Sequence, residues 1–492
     1  MGTRMRVPIP DTTVNLPRLE LTRWPWLRSL LRQRALNWVL MTVALVGFLL
    51  AIVTGILGTA AGSANFGIVF VWIVWWGLLM GVLLPLGGRL WCFLCPIPAP
   101  GEWLQRKALV DPPGNNGVTG PLSIDGSDRS QNRWRLARGW RWPKALRGIW
   151  LQNVGFLGVA LFSMVVLTRP SVSGWVLLAF LAAAVGLAML FERRSFCRYV
   201  CPVGGFIGLY SLVAPVELRV RDPRICQEHR TKDCYLGNEA GYGCPWLEQP
   251  WTIDRNAYCG LCGECLRTCT KDNVTVNLRL PGSDLLVAHG WKLDEAYKAF
   301  IMLACAAIYP IVFLGPWGEL KAWANLDSLS GFGAYALGFL ALNLVVVPGV
   351  HLGAAALTRW AAGLRAVPVR RLFIALAYPL IPLGLAAWMA FTVSLVFANL
   401  SYAISVVSDP FGWGWNLFGT RDVAWHPWLM GWVAPIQATL LIAGLVASIV
   451  SADAILRKLG QRGATLPGLV IQVCVLTIET VGFLWLYLGA SA

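Results

Sequence analysis

The chain is 492 residues long, enough for two or three soluble domains, but 57% of it is hydrophobic and only 13% charged, where a soluble domain carries about 25%. With a mean hydropathy of +0.59, the apolar residues are too many for soluble cores to hide. Disorder, collagen and a small disulfide scaffold are excluded by the same figures. The formal charge of +16 falls beside apolar stretches, which points to a polytopic membrane protein and not to a nucleic-acid binder.

Nine stretches reach the roughly 20 apolar residues that a spanning helix needs: about 35–58, 66–86, 149–168, 174–191, 296–315, 332–356, 372–404, 429–451 and 468–489. Pro379 and Pro382 near the start of the seventh predict a kink there. The first 34 residues carry seven arginines, and the 87–148 loop carries ten basic residues. Arg359, Arg365, Arg370 and Arg371, then Arg457, Lys458 and Arg462, mark two later loops on the same side. By the positive-inside bias the N-terminus is inside, the C-terminus outside, and the lipid bilayer of the inner membrane is the setting. The first span is too long for a signal h-region and is read as retained, despite the small residues Gly58–Ala64. The stretch Arg133–Arg147 predicts a helix on the inner leaflet with Trp134, Trp140 and Trp142 at headgroup level.

Between about 217 and 295 the composition turns polar and rich in cysteine. Cys259, Cys262, Cys265 and Cys269 stand in the C-x2-C-x2-C-x3-C spacing of bacterial ferredoxins, where three thiolates grip one cube and the fourth reaches another. A structural zinc site would more typically show two separated knuckles. Thr270 replaces the proline that usually follows the fourth cysteine. Upstream lie Cys226, Cys234 and Cys244, the last followed by Pro245. In the usual exchange, Cys244 completes the cube of Cys259, Cys262 and Cys265, while Cys269 joins Cys226 and Cys234. Seven cysteines leave two cubes one ligand short. His229, three residues after Cys226, is the candidate eighth ligand, since imidazole can replace thiolate on cluster iron. A three-iron cluster, a single cluster, or a His229 that only hydrogen-bonds are the alternatives.

Two cysteine pairs lie at the ends of apolar spans: Cys92 and Cys95 in G-R-L-W-C-F-L-C-P, and Cys197 and Cys201 in R-R-S-F-C-R-Y-V-C-P. Each spacing puts both thiols on one face of a helical turn, and Pro96 and Pro202 discourage that turn from continuing. Four thiolates suffice for a third [4Fe–4S] cluster. Cycling dithiols, a thiophilic metal, or buried small hydrophobes are the other readings. Cys305 and Cys474, alone within spans, are read as packing.

Two Cys-Pro pairs after membrane helices, followed by a ferredoxin run, resemble the membrane polyferredoxins of the NapH/NosR type, a broad group that includes FixG/CcoG-type proteins. The likeness covers roughly residues 35–285. It implies that Cys92, Cys95, Cys197 and Cys201 match the membrane motifs, and that Cys259, Cys262, Cys265 and Cys269 match a ferredoxin run. It also implies passage of electrons between the quinone pool and an oxidoreductase. The sequence departs in the shorter first membrane motif, the irregular upstream run and the five further spans.

In those five spans a haem clamped by two histidines is disfavoured, because His351 and His426 fall at opposite ends of the bilayer and His229 and His289 lie outside it. Glu479 falls at mid-depth in the last span, where an acid is costly and a candidate for function. It could take a proton during quinol oxidation or simply bond to a neighbouring helix. The Trp- and Gly-rich loop 405–428 reads as interfacial anchoring.

The expected fold is an all-α polytopic membrane protein of nine helices with a small inserted cytoplasmic ferredoxin-like α+β domain. Residues 1–216 would form a four-helix membrane domain, 217–295 the insert, and 296–492 a five-helix membrane domain. The expected function is an iron–sulfur electron carrier between the quinone pool and a respiratory redox partner protein, with two [4Fe–4S] clusters in the insert. The alternatives are an assembly factor handling copper or disulfides, and a redox-driven ion pump.

Overall fold

In the computed structural model, residues 17–106, 109, 138–238, 240–286, 290–314, 318–460 and 465–489 are described, and they are mostly helical. Among them eight helices are long and apolar enough to cross a membrane. They are α1 (Arg34–Leu57), α2 (Phe66–Gly87), α3 (Pro170–Leu190), α4 (Leu293–Phe313), α5 (Leu329–Ala361), α6 (Val369–Asn399), α7 (Met430–Leu459) and α8 (Leu466–Gly489). The nine expected spans become eight. The stretch 149–168 forms two shorter helices, Trp150–Leu161 and Ser163–Thr168, because the backbone at Phe162 leaves helical values at φ −92°, ψ 14°.

The described residues group into two compact units. The first draws on Met1–Gly47, Leu86–Gly148 and Phe180–His289, and the second on Phe48–Pro85, Ile149–Ala179 and Gly290–Ala492.

In the second unit, proline positions are matched by local repairs. A π turn at Leu342–Val346 precedes Pro348 inside α5, and such a turn loosens the ladder where proline removes a donor. The expected break in α6 falls between Leu376 and Leu380, next to Pro379. Just beyond it the Leu383 amide donates to Ser448 Oγ of α7 at 3.1 Å. The two helices touch at Gly444, where a Cβ would lie 2.6 Å from that of Ala386.

In the first unit, three antiparallel strands make a small sheet in the order β1-β3-β2: β1 (Arg18–Glu20), β2 (Val216–Val220) and β3 (Val274–Arg279). Strand alternation gives the sheet two faces. Leu218 and Val274 join an apolar core with Cys226, Cys234, Cys259 and Cys265. The other face holds buried Glu217, Arg219 and Arg279, with Arg279 Nη1 3.0 Å from Glu217 and Arg219 Nη2 3.1 Å from Asp284. The sheet thus ties the stretch that carries seven cysteines at both of its ends.

The expected leaflet helix is not formed over the described part of its range. Trp140 pairs with Phe191 in a parallel bridge, and Trp142 is buried, stacked on Tyr199 at 5.0 Å. Trp142 is thus packed on the protein, whereas Trp140 stays half exposed. Trp134 lies outside the described residues.

Candidate functional site

All eleven cysteines singled out as ligands fall in the first unit. Cys92 sits in the short helix Leu90–Leu94, which stops as Cys95 turns extended before Pro96. Cys197 sits in the π turn Phe196–Val200, which stops at Cys201 before Pro202 opens the next helix. The Cys201 thiol caps that helix, accepting from the Gly204 amide at 3.2 Å. The four thiols face one another electrically. Burial pushes Cys95 up, and Cys201 and Cys92 push it further. Burial also pushes Cys201 up to about 11 and Cys197 well above the ordinary thiol value.

Two buried arginines accompany these pairs, each three residues before the first cysteine of its motif. Arg194 Nε and Nη2 make a two-pronged bond to Glu102 at 2.5 and 2.8 Å, and its Nη1 donates to the Cys92 carbonyl at 3.2 Å. Burial pushes the Glu102 carboxyl up, but Arg106 and Arg194 outweigh it and hold it below the usual carboxylate value. Arg89 is different. Its Nη1 points at the Cys92 thiol at 3.9 Å, its guanidinium lies 4.9 Å over the Trp246 ring, and its Nε has no hydrogen-bond partner. Among the described residues no carboxylate pairs with it.

The other seven cysteines divide between two hollows. One is lined by Cys244, Cys259, Cys262 and Cys265, together with Trp246. Its loop depends on left-handed backbone at Leu261 (φ 51°) and Gly263 (φ 73°), the kind of turn that aims successive amides inward. Gly260 admits Trp246, since a Cβ there would fall 2.0 Å from Trp246 Nε1. That indole nitrogen has no hydrogen-bond partner among the described residues.

The second hollow is lined by Cys226, Cys234 and Cys269 with His229, Lys232 and Asn273. Asn273 donates to two of these thiols, from Nδ2 to Cys226 at 3.2 Å and from its amide to Cys269 at 3.3 Å. Burial pushes Cys234 up to about 12. His229 Nε2 lies 2.9 Å from Thr231 Oγ1 and 3.3 Å from Thr270 Oγ1.

Arginines near the N-terminus tie into this region. Arg34 Nη2 lies 2.8 Å from Glu264 within the ferredoxin run, Arg32 Nη2 lies 2.9 Å from Asp272, and Arg28 pairs with Asp272 as well. Burial acts against ionisation of Glu264, yet Arg34 and Arg267 hold its carboxyl down at about 2.

Among the described residues, no three His, Cys, Asp or Glu side chains converge closely enough for a single metal ion. An iron–sulfur cube is larger, and its thiolates surround a volume instead of meeting at a point. The residues fit such a group in two respects. The thiols line hollows in sets of four and of three plus a histidine. A buried guanidinium without a carboxylate partner is costly, and the charge of Arg89 at the Cys92 thiol would be offset by an anionic cluster.

The remaining candidates lie in the second unit. Glu479 Oε1 is 2.9 Å from His351 Nε2. His426 is exposed and accepts from the Trp428 indole at 2.7 Å. Cys305 is buried and donates to Asn343 Oδ1 at 3.4 Å, whereas Cys474 is exposed on α8 and does not serve as core packing. His289 lies outside the described residues. The sequence reading missed Arg89, Arg194 and Glu102. The signal for the two arginines was their repeated place three residues before each cysteine pair.

A family model described as a 4Fe-4S binding domain (Fer4_5) matches residues 68–111 and 173–221. The first segment contains Cys92 and Cys95, and the second contains Cys197 and Cys201. Among curated proteins, the "Putative electron transport protein YccM" of Escherichia coli (strain K12) is 24% identical over 140 residues. That match covers 27% of this chain and 35% of the relative, about a third of its length. No solved structure matches the chain. The chain is therefore an iron–sulfur membrane protein whose Cys-Pro pairs lie in segments similar to a 4Fe-4S binding domain.

Proposed function

We propose that the protein is an electron carrier of the NapH/NosR polyferredoxin type, passing electrons between the quinone pool and a respiratory oxidoreductase partner. Three sets of ligands hold its clusters. Cys244, Cys259, Cys262 and Cys265 hold one in a ferredoxin-like insert, and Cys226, Cys234, Cys269 and His229 hold a second. Cys92, Cys95, Cys197 and Cys201 hold a third. By the charge bias of the loops, these sets lie on the cytoplasmic side of the inner membrane.

The observation that carries this reading is Arg89, buried at the Cys92 thiol without a carboxylate partner among the described residues. A disulfide or a resting dithiol is neutral and would leave that charge uncompensated. The thiolates of a cluster compensate it. The similarity of both Cys-Pro segments to a 4Fe-4S binding domain supports the same choice.

Bound at these thiols, [4Fe–4S] cubes would supply one-electron carriers. The protein's own residues hold and tune the sites. Glu102 fixes Arg194 against the Cys92 backbone, Asn273 donates to Cys226 and Cys269, and Gly260 makes room for the Trp246 ring. Arg34 and Arg267 neutralise Glu264 beside Cys265.

The test is anaerobic mixing of the reduced-quinone pool analogue with the oxidised protein, followed by the visible absorbance of the clusters. Rapid bleaching supports the carrier. No bleaching by quinol, with bleaching by dithionite, would exclude a quinol-fed carrier and leave the assembly-factor alternative.

A further inference from the structure

Helices α5 and α8 run antiparallel and share a line of polar residues within an otherwise apolar interface. Near the end where α5 stops and α8 starts, Gln472 Nε2 donates to Thr358 Oγ1 at 2.8 Å, and both residues are buried. About two turns further along each helix stand His351 and Glu479, with Nε2 and Oε1 2.9 Å apart. Two more turns on, the corresponding positions are Leu344 and Leu486. The polar contacts between α5 and α8 thus run from that end to the His351–Glu479 pair. At 1.5 Å per residue, His351 lies about 15 Å along the helix from Ala361 and Glu479 about 20 Å from Leu466.

The pair is incompletely satisfied. Glu479 Oε2 is buried and has no hydrogen-bond partner, and the close Nε2–Oε1 contact is not aligned as a hydrogen bond. One face of the imidazole is covered by the Phe300 ring at 5.3 Å. Charged groups on the surrounding helices are turned to other partners. On α4, Asp294 accepts from the Ile149 amide, Glu295 from the Tyr378 hydroxyl, and Lys298 donates to the Gln152 carbonyl. Arg359 of α5 donates to the Val367 carbonyl, Asp453 and Arg457 of α7 pair with each other, Arg371 of α6 lies over the Trp291 ring, and Arg370 and Lys458 are exposed. Nothing among these groups neutralises a lone carboxylate at Glu479.

We propose that His351 and Glu479 form a proton-binding site, filled and emptied along the Thr358–Gln472 step. Its ligand is the proton itself. In the empty state the carboxylate faces a neutral imidazole and the pair is singly negative. Uptake forms one O–H bond on Glu479, removes the charge, and lets the protonated carboxyl donate to His351. In apolar surroundings this neutral pair is favoured over an ion pair. An exchangeable proton at mid-depth is the chemistry that an electron carrier or a pump can couple to, but the site stands without the iron–sulfur reading.

The experiment uses the full chain in lipid nanodiscs and dicyclohexylcarbodiimide, a reagent for protonated carboxyls in apolar surroundings, with labelled peptides mapped by mass. Labelling at Glu479 is expected to fall about tenfold per pH unit above the site's midpoint, and to vanish in Glu479→Gln, whose iron content stays that of the native protein. His351→Phe removes the acceptor and moves the midpoint. Gln472→Leu slows proton–deuteron exchange at the Glu479 carboxyl, followed in the infrared. No labelling at any pH would mean a permanent ion pair, and equal labelling at every pH a permanently protonated contact; either overturns the site. Unchanged exchange in Gln472→Leu would overturn the proposed path.

Discussion

Thr270 Oγ1 stands 3.3 Å from His229 Nε2 and donates to Asp233 Oδ2 at 3.1 Å. Thr270 occupies the place where a ferredoxin run usually has proline. A hydroxyl is found where the ring would be, and it meets the residue proposed to stand in for the missing cysteine. The two departures from the usual run are one local arrangement.

His229→Cys is expected to retain the cluster of Cys226, Cys234 and Cys269 and to lower its midpoint potential, because imidazole ligation raises it. Potentiometric paramagnetic resonance reads this. His229→Ala should remove or convert that one centre. An unaltered spectrum and midpoint in His229→Ala would reduce His229 to a hydrogen-bonding neighbour.

Arg89→Met removes the charge at Cys92 and keeps much of the side-chain length. Loss of a residue that supports metal ligands commonly costs about 10–100-fold in metal affinity. Iron bound by the Cys-Pro pairs should therefore be chelated from the variant at lower chelator concentration, with the signals of the other centres unchanged. Equal resistance to chelation would show that Arg89 has no anionic partner there.

Glu102 provides a pH test with a definite sign. Its carboxyl is held below the ordinary value of 4.5 when folded, so the unfolded chain binds more protons as the pH falls. Its stabilisation is full above pH 4.5 and is lost as the pH drops through the lower folded value. Thermal release of iron should accelerate in that window. In Glu102→Gln that part of the acid sensitivity should be absent. The variant should also be weaker by about 3–5 kcal/mol at neutral pH, as expected for breaking a buried pair.

Gly260→Ala places a methyl group 2.0 Å from the Trp246 indole nitrogen. Overpacking of this kind costs about 1–3 kcal/mol. The variant should lose iron from the set of Cys244, Cys259, Cys262 and Cys265 at a lower temperature than the native protein. Trp246→Phe in the same chain should restore part of the loss by shortening the opposing ring.

The grouping of the cysteines around two hollows was legible because ferredoxin spacing is local. Cys244 does line the hollow of Cys259, Cys262 and Cys265, and Cys269 that of Cys226 and Cys234. The apolar runs were legible too, except where Phe162 breaks one of them. The role of the positive charge was not. Arg28, Arg32 and Arg34 read as topology signals, yet they pair with Asp272 and Glu264 more than two hundred residues away. Long-range ion pairs leave no period in the sequence. The same holds for the pairing of His351 with Glu479: the acid stood out at mid-depth in its own helix, but its partner shows only when the two helices are side by side.

Three sets of residues are proposed to hold three clusters. The most direct measurement is iron and acid-labile sulfide per chain after anaerobic purification, read with the paramagnetic resonance of the reduced protein. About 12 iron and 12 sulfide are expected, falling by about four iron in Cys92→Ser with Cys197→Ser. A native count near eight that is unmoved by those substitutions would contradict a cluster on the Cys-Pro pairs, and a count near four would contradict the two-hollow account as well.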